Sequence, residues 1–254
     1  MVGGRRRLAV LRQIDRPVVM GLAILQALVA AAGWFASPVY LAAAVAVQLA
    51  LGGIGAIRIL GPARSDLGLA RYAMPAVAGI SATVFGRLIP GGLSLLLVPI
   101  VAVLLWSVTY LELRVERGTG GRTIGDLLVT TMVFAGAAGI LTFFGAQTWP
   151  TPLILVAGLS LPLALRAAES RGTMGSEGMG QALLQLLVVT QIGAAAALLM
   201  VPPVVIAALM ALAFYTWGGA VDALRGDASG GSVAVEFGAL MALGLAIGLW
   251  LSRA

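Results

Sequence analysis

Apolar residues run along this chain in stretches of about 20, the length one helix needs to cross a bilayer, broken by short polar or proline-containing segments. The pattern predicts nine spans near residues 17–36, 38–60, 72–89, 93–111, 127–146, 150–165, 181–201, 203–221 and 233–251. Two kinds of connection alternate between them. Tight ones lie at Ser37-Pro38, Pro90-Gly91-Gly92, Thr148-Trp149-Pro150-Thr151-Pro152 and Pro202-Pro203. Proline lacks an N–H and disfavours helix in the residue before it, so each of these marks a hairpin tip. The other connections are longer and carry charge. The expected fold is all-α: a polytopic transmembrane helical bundle of about nine spans, arranged as four hairpins plus one carboxyl-terminal helix. Residues 17–254 form one transmembrane domain behind a basic leader, residues 1–16.

Arginine placement sets the orientation, because short cytoplasmic loops hold more basic residues than external ones. On the amino-terminal side lie Arg5, Arg6, Arg7, Arg12 and Arg16, then Arg58, Arg64 and Arg71, then Arg114, Arg117 and Arg122, then Arg166 and Arg171, and finally Arg225. The opposite side has only Arg87 and Arg253. The amino terminus is therefore expected in the cytoplasm and, with nine spans, the carboxyl terminus outside, in a bacterial or archaeal cytoplasmic membrane. Arg87 is close enough to the outer interface to snorkel. Trp34, Tyr40, Trp149 and Trp250 fall at outer span ends, and Tyr72, Tyr110, Tyr215 and Trp217 at inner ends, as headgroup-level aromatics do.

The leader has two readings. Its arginines, the apolar run after them and the triplet Ala30-Ala31-Ala32 have the plan of a cleavable signal. The run from Pro17 to Ala36 is nonetheless long enough to stay as a helix, and retention is expected. Leu8, Leu11 and Ile14 among the arginines suit a helix lying along the inner headgroups.

Composition narrows the chemistry. Of the residues, 60% are hydrophobic and 10% charged, against roughly 25% charged in soluble domains. The chain has neither Cys nor His, which excludes disulfides, thiolate nucleophiles, iron–sulfur centres, the usual haem ligand and the base of a Ser–His pair. All 16 basic residues are arginine, so no lysine Schiff base forms. No cofactor or metal is expected. The formal charge of +6 would suit nucleic acid, but its confinement to one side assigns it to the bilayer and its anionic headgroups, with no nucleic-acid partner.

Arg117-Gly118, Arg171-Gly172 and Arg225-Gly226 recur at intervals of 54 residues, the first two continuing as RGTGG and RGTMG. Bilayer thickness alone gives a helical hairpin about this period, so duplication and geometry both account for it. The segment from Glu112 to Asp126 is the richest in polar groups. Its glycines can curl backbone N–H groups round an anion, a helix start follows, and arginine clamps phosphate with a planar fork. Arg117, Arg122, Asp126, Arg171 and Arg225 are thus candidates for holding an anionic lipid headgroup. Glu236, about a turn into the ninth span, joins them as an acid facing substrate or reaching back to the headgroups. Gln185 and Gln191, inside the seventh span, are either glue between helices or ligands for a small solute.

Nine spans with a cytoplasmic amino terminus and polar inner loops are similar in layout to UbiA-type prenyltransferases. That resemblance implies two Asp-rich loops holding magnesium and a prenyl diphosphate. The corresponding loops here offer one acid, Asp66 in GPARSDLGLAR, and two, Glu169 and Glu177, too few to clamp magnesium. Asp66 to Arg71 also resembles the Asp-Gly-Xaa-Xaa-Ala-Arg motif of CDP-alcohol phosphotransferases, with different spacing and without the further aspartates. The likeness stops at topology. Three functions stay open: a non-catalytic scaffold or accessory subunit of another membrane protein; an enzyme or carrier for a lipid with an anionic head at the cytoplasmic face; and a small-solute permease.

Overall fold

The computed structural model describes residues 3–61, 68–116, 122–145, 150–226 and 228–253, with side chains over 17–61, 68–114, 123–145, 150–226 and 228–250. Among these residues there are α-helices and 3-10 turns and no strand. The nine helices are α1 (Gly3–Trp34), α2 (Pro38–Leu60), α3 (Met74–Phe85), α4 (Val98–Glu116), α5 (Arg122–Phe144), α6 (Thr151–Ser170), α7 (Gly175–Leu198), α8 (Pro203–Arg225) and α9 (Gly230–Arg253). Eight helical segments are long and apolar enough to cross a bilayer. The chain is a polytopic, all-α membrane protein. The leader is continuous with α1, which runs through Pro17, while the Thr148-Trp149 tip lies outside the described residues.

The third element is shorter than its expected span of 72–89. Every residue of α3 from Met74 to Val84 is buried except Ala82. A helix apolar on all sides belongs inside a bundle, and α1, α2 and α4 pack around this one. With little of its surface left to face lipid, it has less need to match the bilayer's thickness. The chain then reaches α4 through a 3-10 segment, Gly91–Leu97. At about 2 Å per residue this climbs faster than an α-helix, and the apolar segment long enough to span that contains α4 starts at Gly91.

Residues 1–121 and 122–254 form two compact units. In the first, α1 packs against α2, α3 and α4. In the second, α5, α6, α7 and α8 form a ring closed by α5 on α8, and α9 lies along α8. Apolar burial gains little in lipid, so seams are made by small residues that let backbones approach. A side chain at Gly52 of α2 would run into the backbone of Ala76 in α3, whereas Gly53 faces open space. Gly193 of α7 makes room for the thioether of Met210 on α8, and Gly244 and Gly248 of α9 lie against Leu212 and Val205 of α8.

Polar groups add the remaining ties in the first unit. Gln26 Nε2 donates to the carbonyl of Pro75 at 2.9 Å, and Gln48 Nε2 donates to the Gln26 carbonyl at 2.8 Å and to Thr83 Oγ1 at 3.2 Å. Gly79 leaves space for both amides. Trp34 Nε1 donates to the Ala82 carbonyl. Arg87 does more than snorkel: its Nη1 donates to the carbonyls of Gly33 at 2.8 Å and Ala36 at 2.7 Å. It thereby brings positive charge to the negative end of α1.

Candidate functional site

The second unit holds a cleft of about 400 Å³, mouth included, lined by charged, hydroxylic and aromatic residues together. Asp126 and Thr130 come from α5, Arg171 from the end of α6, and Phe214, Tyr215 and Asp222 from α8. Ala167 and Gly219 complete the wall with little side-chain bulk. Asp222 lies three residues before the end of α8, and Phe214 lies eight residues earlier still. At about 1.5 Å of rise per residue, the cleft spans roughly 12 Å along α8 between Asp222 and Phe214.

Arg171 is positioned by the way α6 stops. Gly172 adopts φ +82°, a conformation rarely open to side-chain-bearing residues. The turn is closed by Gly172 N donating to the Glu169 carbonyl and Thr173 N to the Ala168 carbonyl, the reciprocal pair of a Schellman stop. Arg171 is the residue just before that glycine, so its side chain leaves the helix end at a fixed angle. Its Nη1 turns back to the Ala167 carbonyl at 2.9 Å, and its Nε donates to Asp222 Oδ1 at 3.2 Å. Gly218 makes the room for its Nη2, since any side chain there would meet the guanidinium.

The ion pair is lopsided in solvent access. Arg171 has 7% of its side chain exposed and Asp222 has 37%. Among the described residues, two of the five guanidinium N–H groups are engaged, by Asp222 and Ala167, which leaves three. A buried arginine with N–H groups to spare beside a polar cleft is suited to an oxyanion, which can take two parallel N–H bonds at once. Among the described residues, no three His, Cys, Asp or Glu gather as a metal site would require.

The expected candidates separate as follows. Arg171 and Asp126 line the cleft. Arg225 stands beside it, exposed, with Nη1 donating to the Arg171 carbonyl at 2.7 Å. Two of the Arg-Gly sequences 54 residues apart are thus in contact. Arg225 also brings positive charge to the negative end of α6. Glu236 is exposed on α9 and, among the described residues, makes no ion pair with Arg225. Arg117 lies outside the described residues, as does the side chain of Arg122. Asp66 is outside them too. On α7, Gln185 is buried and donates to the Phe214 carbonyl at 3.0 Å, whereas Gln191 is exposed. The two amides do not share a site.

Asp222, Thr130, Phe214 and Tyr215 were not expected at this site. Asp222 escaped because the eighth span was drawn to end at residue 221, one short of it. A signal was there to use. An acid in the last turn of a helix opposes the macrodipole, so Asp222 needs a cation close by, and Arg171 supplies it.

The chain matches no protein-family model, no curated protein and no solved structure.

Proposed function

We propose that the protein binds, at the Arg-rich end of α5–α8, a lipid whose head carries an anionic group, and acts as a carrier or accessory subunit for it in the cytoplasmic leaflet. The observation that carries this reading is Arg171: its side chain buried, on the wall of a polar cleft, with three N–H groups uncommitted among the described residues. The cleft is at helix ends, the depth at which a lipid head sits while its tails lie along the spans. Tyr215, on the same wall, is exposed on the flank of α8 and marks a sideways approach from the bilayer. The permease reading has less to draw on, because Gln185 is committed to Phe214 and Gln191 faces away.

A scaffold without a bound lipid is the competing reading. It is favoured by the same two arginines, which tie α6 to α8 through Asp222 and the Arg171 carbonyl. Native mass spectrometry of the detergent-purified protein separates the two. The expected result is one phosphate-bearing lipid retained per chain, lost in Arg171→Gln and kept in Gln191→Ala, with both variants eluting as the wild type does on size exclusion. A wild-type protein that carries no lipid, or an Arg171→Gln protein that carries it equally well, overturns the reading in favour of the scaffold.

A further inference from the structure

The end of the second unit opposite its charges is built differently, and the difference centres on one residue. Helix α7 stops as α6 does: Met200 N donates to the Ala197 carbonyl and Val201 N to the Ala196 carbonyl, the same bond pair of a Schellman stop. After α6 the residue turned into the left-handed region is Gly172; after α7 it is Met200, at φ +57°. Among the described residues Met200 is the one non-glycine with a positive φ. A Cβ crowds the following carbonyl in that conformation, so glycine would close the turn with less strain. Methionine brings a long apolar side chain instead. Met200 is 91% exposed, beside Leu198 at 85% and the exposed Leu199.

The rest of the tip is equally short of polar groups. From residue 192 to residue 214 no side chain is polar, whereas the α5–α6 connection of the same unit carries Gln147, Thr148, Trp149 and Thr151. The backbone follows suit. Leu199 N donates to the Ala195 carbonyl, Met200 and Val201 are bonded as above, and Pro202 and Pro203 have no N–H to leave open. From Leu199 to Pro203 the turn thus presents no free amide donor, the condition that hydrocarbon imposes on a backbone. Length agrees. Along α8, residues 203 to 222 rise about 29 Å at 1.5 Å per residue, against about 30 Å of hydrocarbon. With the Arg171–Asp222 ion pair in one headgroup layer, the tip ends level with the far edge of the hydrocarbon and short of the water beyond it.

We infer that the α7–α8 tip is a wedge held in lipid: Leu198, Leu199 and Met200 lie among the acyl chains of the leaflet opposite the charged end, and the tip does not emerge into water. The chain has no cysteine, so a single one can be introduced and spin-labelled. The test uses full-length Met200→Cys, Leu198→Cys and, as the reference, Thr151→Cys at the exposed start of α6, each in vesicles of phosphatidylcholine and phosphatidylglycerol. Collisions of the label with oxygen, which concentrates in hydrocarbon, are compared with collisions with a neutral nickel chelate, which stays in water. The oxygen-to-nickel ratio is expected to be several-fold higher for Met200→Cys and Leu198→Cys than for Thr151→Cys. A ratio no higher than that of Thr151→Cys puts the tip in water and overturns the wedge. Few collisions with either reagent would mean that protein, a second copy of the chain in these vesicles, covers the tip, and would overturn it as well. If one of the two tip variants fails to elute as the wild type does on size exclusion, the other gives the reading.

Discussion

The two helical units differ in how much of their polar bonding lies at mid-helix and in whether their charged groups line a cleft. In α1–α4 the ties near mid-helix are neutral amides, Gln26 and Gln48, with Thr83 beside them and Gly79 opening the space, while Arg71 and Arg87 make their bonds beside the ends of helices. In α5–α8 one amide, Gln185, does comparable work, and the ionised groups Arg171, Asp222, Arg225 and Asp126 gather at or near helix ends. Depth explains the choice. An amide in hydrocarbon needs only another dipole, whereas a guanidinium at the bilayer centre costs about 2.5–3.5 kcal/mol on insertion scales. The buried amides therefore serve structure. The charges at the rim stay within reach of water and of a ligand that carries charge itself.

If the first unit is the structural one, its tightest seam should respond most to a single added methyl group. Gly52→Ala puts a Cβ into the backbone of Ala76, which has no flexible side chain to yield, while Gly53→Ala points into open space. Overpacking of this kind costs about 1–3 kcal/mol, and the expected loss for Gly52→Ala is at the upper end. Gly53→Ala should be neutral or gain up to about 1 kcal/mol from helix propensity. Thermal unfolding followed by circular dichroism in detergent would show it. Equal melting temperatures for the two variants would remove the α2–α3 seam from the account.

A smaller effect is expected from the amides. Gln48→Leu removes donors to the Gln26 carbonyl and to Thr83 Oγ1, and interhelical hydrogen bonds in membranes are worth about 0.6–2 kcal/mol. The loss expected is about 1–2 kcal/mol. Gln191→Leu, on an exposed position, should lose nothing measurable. Unfolding by titrated dodecyl sulfate compares them directly. A Gln191→Leu protein as unstable as Gln48→Leu would place a structural amide in the second unit and erase the contrast.

The period of the apolar runs made the fold legible because bilayer thickness imposes it on any sequence that crosses. It misled only where that constraint is relaxed, in α3, whose neighbours take its place against the lipid. Proline located the hairpin tips, since a missing N–H acts locally. The site was legible in part. Arg171 stood out through the Arg-Gly spacing, but no local pattern says that a residue 51 positions away, Asp222, closes the pair. Glu236 looked interesting for being an acid within an apolar run, yet helical phase turned it outward on α9. Asp126 was chosen for its place before a helix and lines the cleft from α5, beside groups that only the closing of α5 on α8 brings near.

The smallest effect should come from the charge pair itself, and it sharpens the comparison most. Asp222 is 37% exposed, and ion pairs open to solvent contribute about 0.2–1 kcal/mol in double-mutant cycles because water competes for both partners. The coupling between Arg171→Gln and Asp222→Asn, measured on stability, should fall in that range. If the second unit were held together at its rim as the first is in its middle, the coupling would exceed about 2 kcal/mol, since each single variant would leave a buried partner stranded. A weak coupling on stability, alongside a strong loss of bound lipid in each single variant, would mean that Arg171 and Asp222 are arranged for a ligand more than for the fold. A strong coupling with unchanged lipid occupancy would reverse that assignment and make both units structural.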